Sequence, residues 1–236
     1  MKLSKRIYAL AAQIEHGESV SDIGTDHGYV PMLLMKEGVS PKVIMSDISG
    51  GSLARAKRTF SLCGIYTDPG DFRIGDGLET ISPGETDAVI IGGLGGHTIA
   101  SILDSDLNKA KSFKKLVLQP RKHSGTLRYY LYTHGWDIIR EVLVPEGKFE
   151  CEILVATPSE QYASRNAPYP EDDIRWKYPE ILMTTDPVSA AKRINWKIGS
   201  IRQQIENLRV SSSDRTDTIA RMSKDLEYLE HLLSVN

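Results

Sequence analysis

The sequence predicts an α/β protein: a doubly wound, largely parallel sheet finished by an antiparallel edge hairpin, followed by a small helical domain. Three observations carry this expectation. Short apolar runs alternate with helix-prone segments across residues 4–133, the pattern of repeated βα units. The run DAVII at residues 87–91 is apolar almost throughout, as a strand covered on both faces reads. Beyond Thr133 the pattern changes to two strand-like runs, residues 136–144 and 150–156, joined by the Gly-containing loop PEGK at 145–148.

The elements follow in order. Residues 4–15 place Ile7, Leu10, Ala11 and Ile14 on one helical face. Strands are expected at 19–23, 42–46, 71–74, 87–91 and 115–118, with helices at 31–37, 51–63, 97–103 and 125–133. The stretch from 157 to 170 is polar and Pro-containing, a linker composition. After it no strand signal remains. Ile194, Ile198, Ile201, Ile205 and Leu208 step by four and three, and Ile219, Met222, Leu226, Leu229 and Leu233 repeat the stepping. The polar turn SSSDRTD at 211–217 separates the two runs, with Asp214 or Thr216 as the cap of the second helix. Two heptad helices joined by a short turn form an antiparallel coiled-coil hairpin. The expected domains are residues 1–158 and 159–236.

Composition narrows the class. With 236 residues, 40% hydrophobic and 25% charged, the chain has an ordinary globular balance. No run approaches a membrane span. The basic then apolar N-terminus raises a signal peptide, but Gln13, Glu15 and His16 interrupt it and favour the amphipathic helix. Cys63 and Cys151 form no metal or disulfide pattern. A monomeric cytoplasmic protein without metal is expected. The net charge of −2 gives no steer, so any nucleic-acid partner must be held by a local basic patch.

Candidate chemistry sits at the carboxyl ends of the predicted strands, where open α/β sheets bind ligands. These are SVSDIGTDHGYVP at 19–31, Asp47, GDGL at 75–78 and IGGLGGH at 91–97. The first loop is not a dinucleotide fingerprint, because Asp26 and Tyr29 stand where GxGxxG requires glycine. Asp22 and Asp26 disfavour a pyrophosphate and suit a cationic group, while Asp47 suits two ribose hydroxyls. An adenosine ligand with an amino-acid tail and no phosphate, S-adenosylmethionine, satisfies all three. The expected ligand contacts are Asp22, Gly24, Thr25, Asp26, His27, Gly28, Asp47, Ile48, Asp76, Gly77, Gly92, Gly93 and Leu94.

DIGTDHGYVP at 22–31, Asp47, GDGL, IGGLGGHTI at 91–99 and LQPR at 118–121 together resemble the bacterial tRNA (adenine-22-N1)-methyltransferases. The resemblance spans essentially the whole chain. It implies a seven-stranded Rossmann-like methyltransferase sheet with a C-terminal coiled coil, and methyl transfer from S-adenosylmethionine to N1 of an adenosine in tRNA. IGGLGG stands where many amino-group methyltransferases carry Asn/Asp-Pro-Pro-Tyr/Phe, a departure that argues against exocyclic N6 as acceptor. Asp26, His27 and Asp76 are candidates to take the N6 proton released after transfer, none as an essential base. Gly95, Gly96 and His97 are expected to meet the target base. Arg6, Arg121, Lys122, Lys192, Arg193 and Lys197 are expected to meet RNA. Rival readings are a same-fold methyltransferase for another RNA, a protein or a small molecule, and a non-catalytic RNA-binding module.

Overall fold

The protein is described from a computed structural model covering residues 3–147, 149–159, 165–210 and 215–234. Lys148 and the proposed cap Asp214 lie outside the described residues. The chain opens with α1 (Lys5–Ala11), β1 (Val20–Ile23), α2 (Tyr29–Lys36), β2 (Val43–Asp47), α3 (Gly50–Leu62) and β3 (Phe72–Ile74). It continues with β4 (Ala88–Leu94), α4 (Gly96–Asp104), α5 (Leu107–Ala110), β5 (Lys115–Pro120), α6 (Ser124–Thr133), β6 (Trp136–Glu146) and β7 (Phe149–Pro158). The helical remainder is α7 (Ile181–Thr185), α8 (Pro187–Val210) and α9 (Thr216–Ser234), preceded by a 3-10 turn at Ile174–Trp176.

The seven strands lie in the order β3-β2-β1-β4-β5-β7-β6. β1 to β5 pair in parallel, and β7 pairs antiparallel with both β5 and β6. The chain therefore crosses to the outer edge as β6 and returns as β7 to dock on β5. Alternation along each central strand fills both faces. Val43, Met45, Ile90 and Val117 meet α1 to α3, while Ile44, Val89, Ile91, Leu116 and Leu118 meet α4 and α6. The α1 register holds, with Ile7, Leu10, Ala11 and Ile14 buried, although the helix itself stops at Ala11.

In the C-terminal part Ile194, Ile198, Ile201 and Ile205 of α8 pack with Leu229 and Leu232 of α9. Leu143 of β6 joins the same cluster, so this unit rests on the sheet edge. A buried ionic network reinforces the seam. Arg128 of α6 donates to Glu141 at 2.8 and 2.6 Å, to Glu152 at 2.5 Å and to the Trp176 carbonyl at 3.0 Å. Arg193 of α8 reaches Glu152 from the other side at 2.8 Å.

Candidate functional site: a cleft at the strand-order switch

β1 and β4 are neighbours whose connections leave in opposite directions, and the crevice beyond their carboxyl ends is the ligand position of such sheets. The β1–α2 loop enters it. Helix α2 starts at Tyr29, two residues before the predicted Pro31, because Gly28 caps it in a left-handed conformation (φ 63°). A Cβ on Gly28 would also stand 3.0 Å from Ala56 of α3. Pro31 falls in the first turn, where its missing N–H has no partner to lose.

A cleft of 290 Å³ runs between this loop and the end of β4, lined by Asp22, Gly24, His27, Gly92, Gly93 and Leu94, with Arg6 and Arg121 at its border. Asp22 is half-buried, and its Oδ2 and carbonyl accept from the Thr25 hydroxyl. Burial pushes the Asp22 carboxyl up to about 7; Thr25 opposes, Asp47 adds and Arg6 opposes again. Thr25 is itself buried, so its side chain supports Asp22 from beneath.

Asp26 lines the cleft but is already matched in charge, since the Arg55 Nε of α3 donates to its Oδ1 at 2.8 Å. The two-carboxylate seat for a cation thus reduces to Asp22, with the Arg6 guanidinium lining the same cleft. His27 stacks on Tyr29, ring centroids 5.0 Å apart, and its Nε2 lies 3.5 Å from Asp26. Asp76 is exposed beyond β3, two strand spacings or about 10 Å from β1. Asp26 and His27 therefore lie together on the cleft wall, and Asp76 lies apart from them.

Along the same edge, Asp47 ends β2 and accepts the Ser49 N–H at 2.7 Å through Oδ1, with no bond to Oδ2 among the described residues. Beside it Ile48 and Ile74 are exposed, 71% and 67%, an apolar pair next to a carboxylate. That pair, with Asp76 and Gly77 beyond it, offers walls for a flat ring. Ile74 gave no signal in the sequence, because a strand-end isoleucine reads as core.

IGGLGG is not one loop. β4 runs on through Leu94, with a register shift between Gly92 and Leu94 where Gly93 takes φ 81°. The buried Gln119 of β5 holds this bulge: its Oε1 accepts the Gly93 N–H at 3.1 Å and the Arg6 Nη1 at 3.2 Å. A Cβ on Gly96 would lie 2.2 Å from the His123 carbonyl, and the Gly96 N–H donates to the Lys122 carbonyl at 2.9 Å. The space Gly96 leaves is thus filled by the protein backbone rather than left for a base. Gly95 and the exposed His97 stay at the rim, His97 against the His123 ring at 4.5 Å.

Of the expected RNA contacts, Arg121, Lys122 and Lys192 are exposed. Lys197 lines a 530 Å³ cleft between α6 and the helical part, together with Lys177 and the N-terminal residues of α6. Arg193 lines the same cleft, but its guanidinium is engaged by Glu152 and lies 5.1 Å over the Tyr178 ring, and its side chain is 17% exposed, so it presents little free charge to RNA. Arg6 is likewise committed to Glu146, at 3.2 Å, and to Gln119, and faces the cleft rather than open solvent. Among the described residues no helix is long and apolar enough to cross a membrane, and no cluster of three His, Cys, Asp or Glu is placed to hold a metal ion.

Comparison with known proteins accords with this geometry. A family model described as a methyltransferase domain matches residues 3–154. The chain is 36% identical over 164 residues to the tRNA (adenine(22)-N(1))-methyltransferase of Bacillus subtilis, covering 70% of this chain and 68% of that one. The crystal structure of the B. subtilis m1A22 tRNA methyltransferase TrmK superposes with a TM-score of 0.78 at 26% identity, over 98% of this chain and 99% of that one. The fold also matches a Streptococcus pneumoniae protein in complex with S-adenosyl-L-methionine, with a TM-score of 0.77 at 21% identity over 98% and 100% of the two chains. The chain belongs to the tRNA (adenine(22)-N(1))-methyltransferase family.

Proposed function

We propose that the protein transfers a methyl group from S-adenosylmethionine to N1 of adenosine 22 in tRNA, acting as a cytoplasmic monomer that needs no metal. The observation that carries this reading is the charge lining of the switch-point cleft, which holds both Asp22 and Arg6, continued along the edge by Asp47 and the exposed Ile48 and Ile74. That donor set fits a zwitterionic amino acid attached to a nucleoside. Asp22 would hold the ammonium, Arg6 the carboxylate and Asp47 the ribose hydroxyls, with Ile48 and Ile74 flanking the adenine. When bound, the cofactor supplies an electrophilic methyl on a sulfonium.

The protein's remaining task is positional. N1 of adenine carries an in-plane lone pair, so attack requires no prior proton removal. Asp26, spent on Arg55, and Asp76, set apart beyond β3, are compatible with a site that has no general base for the attack. Gly93, set by Gln119, and Leu94 border the cleft from the β4 side and would fix the approach of the base and exclude water. N1 lies on the pairing edge, so the target must leave its stack before reaction. Lys122, Lys192 and Lys197 would hold phosphates around it.

The test is incubation with methyl-labelled S-adenosylmethionine and unmodified tRNA, followed by nucleoside analysis. The expected product is N1-methyladenosine. Cofactor binding without label in tRNA would overturn the proposal and favour a small-molecule or protein acceptor.

A further inference from the structure

Besides the switch-point cleft and the one beside Lys197, a further cleft of 530 Å³, the second on this edge of the sheet, opens over the carboxyl end of β5, bounded by Gln119 and Arg121 and walled by Glu146, Glu150 and Cys151 of the β6–β7 hairpin. Its volume falls within the usual range of small-ligand pockets, about 300–1,000 Å³. The wall follows from strand register. β5 pairs with β7 as far as Leu118 with Leu154, whereas β6 and β7 stay paired out to Glu146 with Phe149. The hairpin therefore projects past the sheet edge, and α1 leans on it through Arg6 and Glu146. Arg6 and Arg121 line this cleft and the switch-point cleft alike, so the two adjoin.

Their positions along the sheet differ. Asp47 on β2 is four strand spacings from β7, about 19 Å. A group held in the second cleft thus lies beside the half of the edge that carries Asp22 and Asp47. Two carboxylates line this cleft, Glu146 and Glu150, and Glu146 is the one in contact with Arg6, which borders both clefts. Its Oε2 stands 3.2 Å from the Arg6 Nε and accepts from the Cys151 thiol at 3.1 Å. With its side chain 37% exposed, it keeps lone pairs available to the cleft. The Cys151 contact, then the Arg6 charge, hold this carboxyl below its usual range against the opposing effect of burial, so it is an acceptor at neutral pH.

An ionised carboxylate seated at the C6 edge tells the purines apart by what stands there. Adenine presents an amino donor at C6 beside the bare N1, whereas guanine presents O6, an acceptor that a carboxylate repels, beside a protonated N1. Guanine could meet it only through its N1–H and 2-amino donors, an orientation that presents no bare N1. The flat guanidinium of Arg121, exposed at the cleft border, suits stacking on a splayed-out base.

We propose that the β5–hairpin cleft receives the target purine and that Glu146 reads it as adenine, accepting a hydrogen bond from the exocyclic 6-amino group and so turning the adjacent N1 toward the switch-point cleft. This rests on the methyltransferase reading above and adds to it the residue that selects the base. Glu146 makes no bond to the reacting atoms; it positions and selects.

The experiment compares tRNA carrying adenosine at the target position with tRNA carrying purine riboside, which keeps N1 and lacks the 6-amino group. kcat/KM is measured on both with wild type, Glu146→Ala and Glu146→Gln. The lower nucleophilicity of purine riboside affects every enzyme equally and cancels in the comparison of ratios. Wild type should prefer adenosine, and Glu146→Ala should lose roughly 10- to 100-fold of that preference, the worth of one charge-assisted hydrogen bond. Glu146→Gln keeps a carbonyl acceptor and should retain part of it. An unchanged ratio in Glu146→Ala would overturn the inference while leaving tRNA methylation standing. Failure of wild type to methylate the adenosine tRNA would overturn both.

Discussion

Replacing Arg128 with methionine tests how the helical part is held to the sheet. The Arg128 side chain is 1% exposed and makes three charge-assisted bonds to Glu141 and Glu152 and one to the Trp176 carbonyl. Without it, two buried carboxylates remain against the single guanidinium of Arg193. Removing one partner from a buried ionic cluster costs about 3–5 kcal/mol, out of a total stability of roughly 5–15 kcal/mol. Urea unfolding followed by circular dichroism should register that loss. Hydrogen exchange should show it first in the 3-10 turn at Ile174–Trp176 and in α7 and α8, with β1 and β4 spared. The pH dependence has a definite sign. In wild type, burial would raise Glu152 but Arg128 and Arg193 outweigh it and hold it at about 2, against 4.5 unperturbed. That contribution is present above pH 4.5 and is lost as pH falls toward 2. In Arg128→Met the surplus carboxylate takes up a proton more readily, so the gap to wild type should narrow on acidification. Adding Glu141→Leu should recover much of the loss, since an apolar replacement relieves the unpaired charge. A loss below about 1 kcal/mol, the range of an exposed ion pair, would refute the reasoning.

Other outcomes follow from the cleft. The folded-state value of Asp22, about 7 against 3.8, means that the native chain holds more protons than the unfolded one between those values, so this residue subtracts stability as pH rises through the window. A bound ammonium should expel that proton: calorimetry of S-adenosylmethionine binding near pH 6 in buffers of different ionisation heat should show proton release on the order of one. Asp22→Asn should abolish the buffer dependence, and buffer-independent heats in wild type would contradict the assignment. Asp47→Ala should weaken cofactor binding by about 1.5–3 kcal/mol in equilibrium dialysis, and unchanged affinity would remove Asp47 from the site. Lys122→Glu and Lys197→Glu should weaken tRNA binding and flatten its salt dependence by about one unit of slope per lost phosphate contact, with cofactor affinity intact. Equal tRNA affinity in both variants would remove them from the interface.

Features with a local period were legible in the sequence, whereas those built by long-range pairing were not. The DAVII strand, the buried face of α1 and the α8 seam follow from residue spacing, and each is buried at most positions, whereas on the α9 seam Leu229 is buried and Ile219, Met222, Leu226 and Leu233 are only partly so, with Leu232 buried in place of Leu233. The extension of β4 into IGGL was hidden, because glycines read as loop unless a neighbouring strand holds them; here Gln119 of β5 does so across the sheet. Asp26 looked free for a cationic ligand because Arg55 lies 29 residues away, and Arg193 looked like an RNA contact because Glu152 lies 41 residues away. The exposed Ile74 and the Arg6–Glu146 pair were invisible for the same reason: no local pattern marks a residue whose neighbours arrive only with the fold. The short helix α5 was missed because it has a single turn and no periodicity.

The central claim is tested most directly by mapping the methyl group in tRNA by mass spectrometry after reaction with the purified protein and S-adenosylmethionine. The account predicts N1-methyladenosine at position 22 alone, lost when that adenosine is replaced by guanosine. Methylation at another position or on another atom, or no methylation by a protein that binds the cofactor, would contradict it.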